Sequence, residues 1–158
     1  MLSWIKNQVG QFAFNSVTLG FKALLSPVVF GATAIIADRN GKVVLVRHSY
    51  MTGLSLPGGG VKRAEPPRAA ILRELSEEIG VVRSDPPELF GVYTRRSGWA
   101  TNVIVVYRLM NAEVEFKPNF EVREIVFADP ADPPLEATHG TRRRLAEFSG
   151  KAPPSPYW

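Results

Sequence analysis

Three glutamates, Glu74, Glu77 and Glu78, stand at positions i, i+3 and i+4 of one segment. That spacing brings side chains to one face of a helix. Like charges packed so closely repel unless a cation sits among them. Ligands that are all oxygen select hard ions, Mg²⁺ or Mn²⁺. A fourth carboxylate, Glu65, and an arginine, Arg73, flank the cluster, and Gly58-Gly59-Gly60 precede it. The segment reads as a divalent-metal site built on a helix that opens from a glycine-rich turn.

The carrying helix should start near Pro66 or Pro67, because proline suits a first turn whose N–H groups have no partner. Glu65 falls just before it, where a carboxylate can cap free N–H groups and oppose the helix dipole. Ala69, Leu72, Leu75, Ser76 and Ile79 lie close to one stripe, the expected core face. Gly80 is placed to end the helix as a left-handed cap. Arg73 and Glu77 form an i, i+4 pair, so the arginine can orient one carboxylate and leave the others free.

The stretch from Gly59 to Val81 resembles the Nudix box. That pattern runs Gly, any five, Glu, any seven, Arg-Glu, a large apolar residue, any one, Glu-Glu, any one, Gly, a large apolar residue. Gly59, Glu65, Arg73, Glu74, Leu75, Glu77, Glu78, Gly80 and Val81 meet its fixed positions. So many fixed residues and gaps make the resemblance specific. It implies that Glu77 and Glu78 are the main metal ligands and that Glu74 is a further ligand or general base. It also implies that Glu65 supports the loop and Arg73, and that the Gly58 carbonyl joins the metal shell. Two features depart from common usage: Ala64, where many members carry glycine, and the Pro66-Pro67 pair. His48 lies in Leu-Val-Arg-His-Ser-Tyr before Leu-Pro-Gly-Gly-Gly, and this run too looks like Nudix domains, as does Thr-Arg-Arg-Arg-Leu-Ala-Glu near the end.

The implied fold is an α/β/α sandwich with a mixed β-sheet, over about residues 28–149. The implied activity is divalent-metal-dependent cleavage of the pyrophosphate linkage in a nucleoside diphosphate joined to a group X. X would make the substrate a nucleoside triphosphate, nucleotide sugar, ADP-ribose or dinucleotide. Bound Mg²⁺ or Mn²⁺ would neutralise phosphate charge and activate water, with a glutamate taking the proton. Two alternatives stay open: removal of pyrophosphate from RNA 5′ ends, and a non-catalytic module that senses a nucleotide. Retention of every box glutamate weighs against the last.

Further ligands or bases often follow such a box, and Glu121 and Glu124 are the candidates; Glu121 is favoured over its partner, with pairing to Arg123 as the plainer reading. Arg47, on the strand before the glycine turn, is placed to grip a phosphate, or else to pair with a box glutamate or face solvent. Arg95 and Arg96 flank the Ser97-Gly98 turn, either as a phosphate clamp or as a solvated pair. Tyr93, Trp99 and Tyr107 can stack a base or pack at strand ends. His48 and His139 lack metal-ligand spacing and are assigned to structure. Arg142, Arg143 and Arg144 are read as one solvated helix face.

The remaining composition bounds the class. The chain has 158 residues, 45% hydrophobic, with no cysteine, so disulfides and thiolate metal sites are excluded. This suits a cytoplasmic setting. A net charge of +4 and a pI near 9.6 suit a polyanionic substrate, and also nucleic acid or an anionic membrane surface. Residues 1–26 read as an amphipathic helical extension that packs on the domain, on a second subunit in a homodimer, or on a membrane surface. They contain no uninterrupted apolar run of membrane-spanning length, and their polar residues argue against a signal peptide. Residues 27–150 form the domain and 151–158 a proline-rich extended tail. Strands are expected at Val28–Ala37, Lys42–His48, Glu88–Thr94, Asn102–Met110 and Glu121–Ala128. Asp38-Arg39-Asn40-Gly41 reads as a hairpin turn and Thr138–Ser149 as a closing helix.

Overall fold

The computed structural model describes residues 23–158 and Gly20. The amphipathic reading of residues 1–26 otherwise lies outside the described residues. The strands are β1 (Val28–Ile36), β2 (Val43–His48), β3 (Gly58–Gly60), β4 (Val81–Arg83), β5 (Glu88–Ser97), β6 (Ala100–Leu109), β7 (Glu113–Val114) and β8 (Val122–Ala128). Helix α1 (Pro67–Ile79) follows β3, and α2 (His139–Phe148) follows β8.

A four-stranded mixed sheet runs in the order β3-β1-β6-β5. Within it β1 pairs parallel with β6 and antiparallel with β3. Strands β2 and β8 form an antiparallel pair, and β4 and β7 another. The short strands β4 and β7 carry too few residues for a period to show in the sequence, and only their mutual pairing defines them.

The Asp38–Gly41 turn forms as expected locally. Asp38 Oδ1 accepts the Asn40 and Lys42 N–H groups at 2.8 Å each, an Asx turn. It does not start a two-stranded ladder, however. After a single bridge between Ala37 and Val43, β1 and β2 enter different sheets. Both edges of β1 are already occupied, one by β6 and one by β3, so β2 must pair elsewhere.

Alternation along the buried strands divides the core in two. Ala32, Ala34, Ile36, Val44 and Val46 meet Ala70, Ile71, Leu75 and Ile79 of α1. Ile35, Val43 and Leu45 face the other way, toward Leu145 of α2. The helices therefore cover opposite faces, giving the α/β/α layering. Each buried Ile or Leu contributes about 1.5–3 kcal/mol relative to exposure.

Helix α1 is rotated from the expected orientation. Ala70, Ile71, Glu74, Leu75, Glu78 and Ile79 are its buried residues, whereas Ala69, Leu72 and Ser76 are exposed. Leu75 and Ile79 belong to both stripes, so apolar spacing left the choice open. The burial of Glu74 and Glu78 beside the glycine strand settles it. Glu65 also differs from expectation: Pro66 occupies the N-cap position and no side chain caps it. Gly80, in the left-handed region at φ 64°, closes the helix by donating to the Leu75 carbonyl, a common helix ending.

Candidate metal centre

Strand β3 and helix α1 bring the carboxylates to one place through two glycines. Gly58 donates its N–H to Glu78 Oε2 at 2.8 Å. Its φ of 136° and the Ala32 carbonyl, 2.3 Å from where a Cβ would stand, leave room for no side chain. At Gly59 a Cβ would lie 2.6 Å from the Glu74 carboxylate. Glycine there lets the carboxylate approach the backbone.

Carboxylate oxygens of Glu74, Glu78 and Glu121 lie within 4.8 Å of one another. Glu74 and Glu78 come from α1, and Glu121 from the loop just before β8. Glu78 is buried, with 3% of its surface exposed. Desolvation pushes its pKa up to about 7, helped by the charges of Glu74, Glu121 and Glu77 and opposed by the Gly58 N–H. A buried carboxyl held among like charges is what a bound cation would relieve. The all-oxygen donor set fits a hard divalent ion.

Arg73 organises the margin. Glu65 accepts from Arg73 Nε at 2.8 Å and from a terminal nitrogen at 2.9 Å, a two-pronged pairing that orients both groups. The guanidinium beside Glu65, with the Lys62 N–H, holds that carboxyl down to about 2. Arg73 also donates to Glu74 at 2.6 Å and to the Gly60 carbonyl at 3.2 Å. It thereby ties the loop, the glycine strand and the helix together. Ala64 adopts a left-handed φ of 58° in this loop, at the position where the sequence departs from glycine.

Glu77 is separate from the converging triad. It is exposed and ion-paired with Arg73 at 3.4 Å, at a side-chain exposure of 59%. The i, i+3, i+4 pattern thus does not put three carboxylates in one cluster, because the sheet meets only the Glu74–Glu78 edge of the helix. Glu121 completes the triad across the fold. Glu124 instead pairs with Arg47 at 2.9 Å.

Arg47 is ion-paired, one of the alternatives to a phosphate contact. It pairs with Glu124 and Glu136, and neither is a box glutamate. Arg47 and His48 alternate across β2, so His48 takes the α1 side. His48 is buried with Nδ1 3.8 Å from Glu78 Oε1, too far for a hydrogen bond. Burial lowers its pKa, which favours the neutral ring. Arg95 lines a cavity with Gly58, Gly59 and Gly60, whereas Arg96 turns back onto the Gly98 carbonyl at 3.0 Å. His139 is exposed at the start of α2.

The arginine run on α2 is not one solvated face. Arg142 is exposed, but Arg144 is fully buried, donating to Glu147 at 2.7 Å and lying 3.8 Å over the Tyr93 ring. Arg143 binds the tail through the Trp158 carbonyl and Ser155 Oγ. Three consecutive helical residues span about 200° of the helix circumference, so they cannot share a face.

Two residues near the cluster escaped sequence reasoning. Asn119 donates to the Glu78 carbonyl at 3.0 Å and accepts from the Glu121 N–H at 3.0 Å. An asparagine two residues before a candidate ligand was the available signal, since such residues close local turns. Tyr50 stacks 5.1 Å from His48; burial first, then the charges of Glu78, Glu121 and Glu74, raise its pKa.

Comparison with known proteins gives the family and the fold. The NUDIX domain model matches residues 28–148. The chain belongs to the Nudix family. It is 36% identical over 67 residues to an RNA pyrophosphohydrolase of Hydrogenovibrio crunogenus, a match covering 42% of this chain and 38% of that protein. A protein of the same description from Tolumonas auensis is 41% identical over 51 residues, covering 32% of this chain and 29% of the relative. The chain thus spans well under half the length of these curated relatives. Among solved structures, a MutT NUDIX hydrolase from Burkholderia pseudomallei aligns with a TM-score of 0.65 at 26% identity, covering 75% of this chain and 95% of that one. The MutT protein from Methanosarcina mazei Go1 aligns at 0.66 with 20% identity, covering 80% and 96%, and shares the fold. Among the described residues, no helix is long and apolar enough to cross a membrane.

Proposed function

We propose that the chain hydrolyses the pyrophosphate linkage of a nucleoside diphosphate joined to a group X, using Mg²⁺ or Mn²⁺. The observation that carries this reading is the convergence of Glu74, Glu78 and Glu121 within 4.8 Å, next to a glycine strand with a cavity on it. Those three residues would hold the ion, with the Gly58 carbonyl and the exposed Glu77 as further donors. A bound divalent ion supplies charge neutralisation to the diphosphate and acidifies water.

The chain's own residues divide the remaining work. Glu74 is bonded to Arg73 and Glu78 to the Gly58 N–H, which commits one oxygen of each. Glu121 is exposed and comes from a separate loop, so we assign it proton acceptance from water. Arg73 positions Glu74, and Glu65 positions Arg73. Arg95, at the rim of the cavity, is the arginine placed to meet a substrate phosphate; Arg96 and Arg47 are engaged elsewhere.

RNA 5′-pyrophosphate removal is the second reading. It is favoured by the names of the partial relatives and by the tip of the β5–β6 hairpin. There Trp99 is 73% exposed beside Arg95 and Arg96, a basic and aromatic surface of the kind that holds single strands.

The test is product release from nucleoside triphosphates, nucleotide sugars, ADP-ribose, dinucleotides and triphosphorylated RNA, with Mg²⁺ or Mn²⁺. Metal-dependent cleavage that Glu78→Gln abolishes would support hydrolysis and name the substrate class. Metal binding without turnover of any member would favour a sensing module.

A further inference from the structure

Strand β1 outruns its cover. Ala32, Ala34 and Ile36 pack against α1, and Val28 and Phe30 continue the same face by alternation. They are nevertheless about half exposed, and so is Val29 on the opposite face. Leu24 and Leu25, just before the strand, are exposed as well. Trp99 adds to them from across the sheet, in the turn before Thr101, which pairs with Val28. Toward β3, Val28 and Phe30 line a groove of about 620 Å³ with Gly60, Val61, Lys62 and Arg63. One end of the mixed sheet therefore presents a continuous apolar surface, which a protein alone in water rarely keeps.

The fringe of this end is basic. Lys62, Arg63 and Arg68 are exposed in and just after the loop between β3 and α1. Arg96 lies opposite Thr101, in the same cross-strand row as Val28. Among the described residues none of these cations is ion-paired with a carboxylate. The carboxylate in that loop, Glu65, is committed to Arg73. Residues 1–27, which lead into β1, add Lys6 and Lys22 and no acid. Cations around exposed aliphatic and indole side chains complement a surface that is anionic outside and apolar beneath.

We propose that this end of the sheet docks on the headgroup region of an anionic lipid bilayer, with Val28, Phe30 and Trp99 entering the interface and Lys62 and Arg63 meeting lipid phosphates. Valine and leucine have no ring to stack on a base, so the aliphatic majority of the patch favours lipid over single-stranded RNA. Tryptophan suits such an interface, with an apolar body and one polar N–H. The contact lies in the interface and spans nothing. Each cation near an anionic surface adds an attraction that salt screens. Apolar and basic signals together are what stable attachment takes. The docked loop carries Glu65, which positions Arg73, so attachment brings the candidate metal centre close to the lipid surface.

The experiment is co-sedimentation of the full chain with vesicles of phosphatidylcholine alone and of phosphatidylcholine mixed with phosphatidylglycerol, at low and at physiological salt. The chain should bind the anionic vesicles, less so as salt rises, and bind neutral vesicles much more weakly. Lys62→Ala combined with Arg63→Ala should weaken anionic binding by about tenfold or more. Trp99→Ser, in a turn, and Val28→Ser, at the first residue of the strand, should each weaken it several-fold at an unchanged thermal midpoint. Absence of vesicle binding would overturn the proposal, as would equal binding to both lipid mixtures. Vesicle binding that none of these variants changes would place the contact outside this end of the sheet and overturn it too. A single-stranded RNA oligonucleotide that binds through Lys62 and Arg63, with no vesicle binding, would reassign the face to nucleic acid. A dimer by light scattering that Val28→Ser dissociates would reassign it to a second copy of the chain.

Discussion

The Asn119 amide donates to the Glu78 carbonyl at 3.0 Å while its oxygen accepts the Glu121 and Val122 N–H groups at 3.0 and 2.8 Å. One side chain therefore joins the end of α1 to the loop that delivers the third carboxylate. Groups that orient ligands without touching the ion typically change affinity or activity by about 10–100-fold when removed. Asn119→Ala should lower Mg²⁺ affinity and kcat/KM within that range. Isothermal titration with Mg²⁺ and steady-state kinetics would check it. A variant with wild-type metal affinity would show that Glu121 is placed without this tie.

Gly58 and Gly59 should respond oppositely to alanine. At Gly59 the added Cβ meets the end of a flexible side chain, Glu74. Gly59→Ala should fold with a near-normal thermal midpoint but lose about tenfold or more in metal affinity, the scale of a displaced ligand environment. At Gly58 the Cβ meets the β1 backbone, and φ lies in the region that favours glycine. Gly58→Ala should lose several kcal/mol, on the order of 3, in denaturant unfolding.

The raised Glu78 pKa carries a definite sign. In the metal-free protein the folded state holds this proton up to about pH 7, whereas the unfolded state loses it near the ordinary glutamate value of about 4.3. Between those values the unfolded state binds fewer protons, so stability falls as pH rises, by on the order of 3 kcal/mol at most. Glu78→Gln should remove that decline. Mg²⁺ should restore stability above pH 7 and release protons when it binds below pH 7. Thermal melts from pH 5 to 8, with EDTA or Mg²⁺, would measure both. His48 contributes the opposite slope through its lowered pKa, so the comparison with Glu78→Gln isolates the carboxyl.

Arg144 is a buried charge whose loss should be structural. Replacing it with methionine leaves the Glu147 carboxylate, 3% exposed, without its cation. Breaking such a pair costs about 3–5 kcal/mol. Chemical denaturation would read this directly.

Arg47→Ala tests the phosphate role expected from sequence. Its partners are Glu124 and Glu136, both partly exposed, and such pairs are worth about 0–1 kcal/mol. The variant should keep kcat/KM within about twofold, where a lost charge-assisted phosphate contact of 1.5–3 kcal/mol would cost roughly tenfold or more. Kinetics on the responsive substrate of the panel would decide it.

By itself the sequence determined what is local or periodic. The spacing from Gly59 to Val81 named the helix, its Gly80 ending and the family. Runs of β-branched and apolar residues bounded by turn residues located β1, β2, β5, β6 and β8 to within a few residues, because a strand buried on both faces reads as a continuous apolar run. The tertiary structure decided what depends on partners far along the chain. Which edge of α1 faces the sheet was open to apolar spacing, since Leu75 and Ile79 fit two stripes. Packing against the glycine strand buried Glu74 and Glu78 and left Glu77 exposed. The pairing of Arg47, the burial of Arg144, the Asn119 bridge and the return of Trp158 all join residues separated by loops. Nothing in a residue's neighbours specifies such a meeting; it follows from how the sheets and helices of the described residues close on one another.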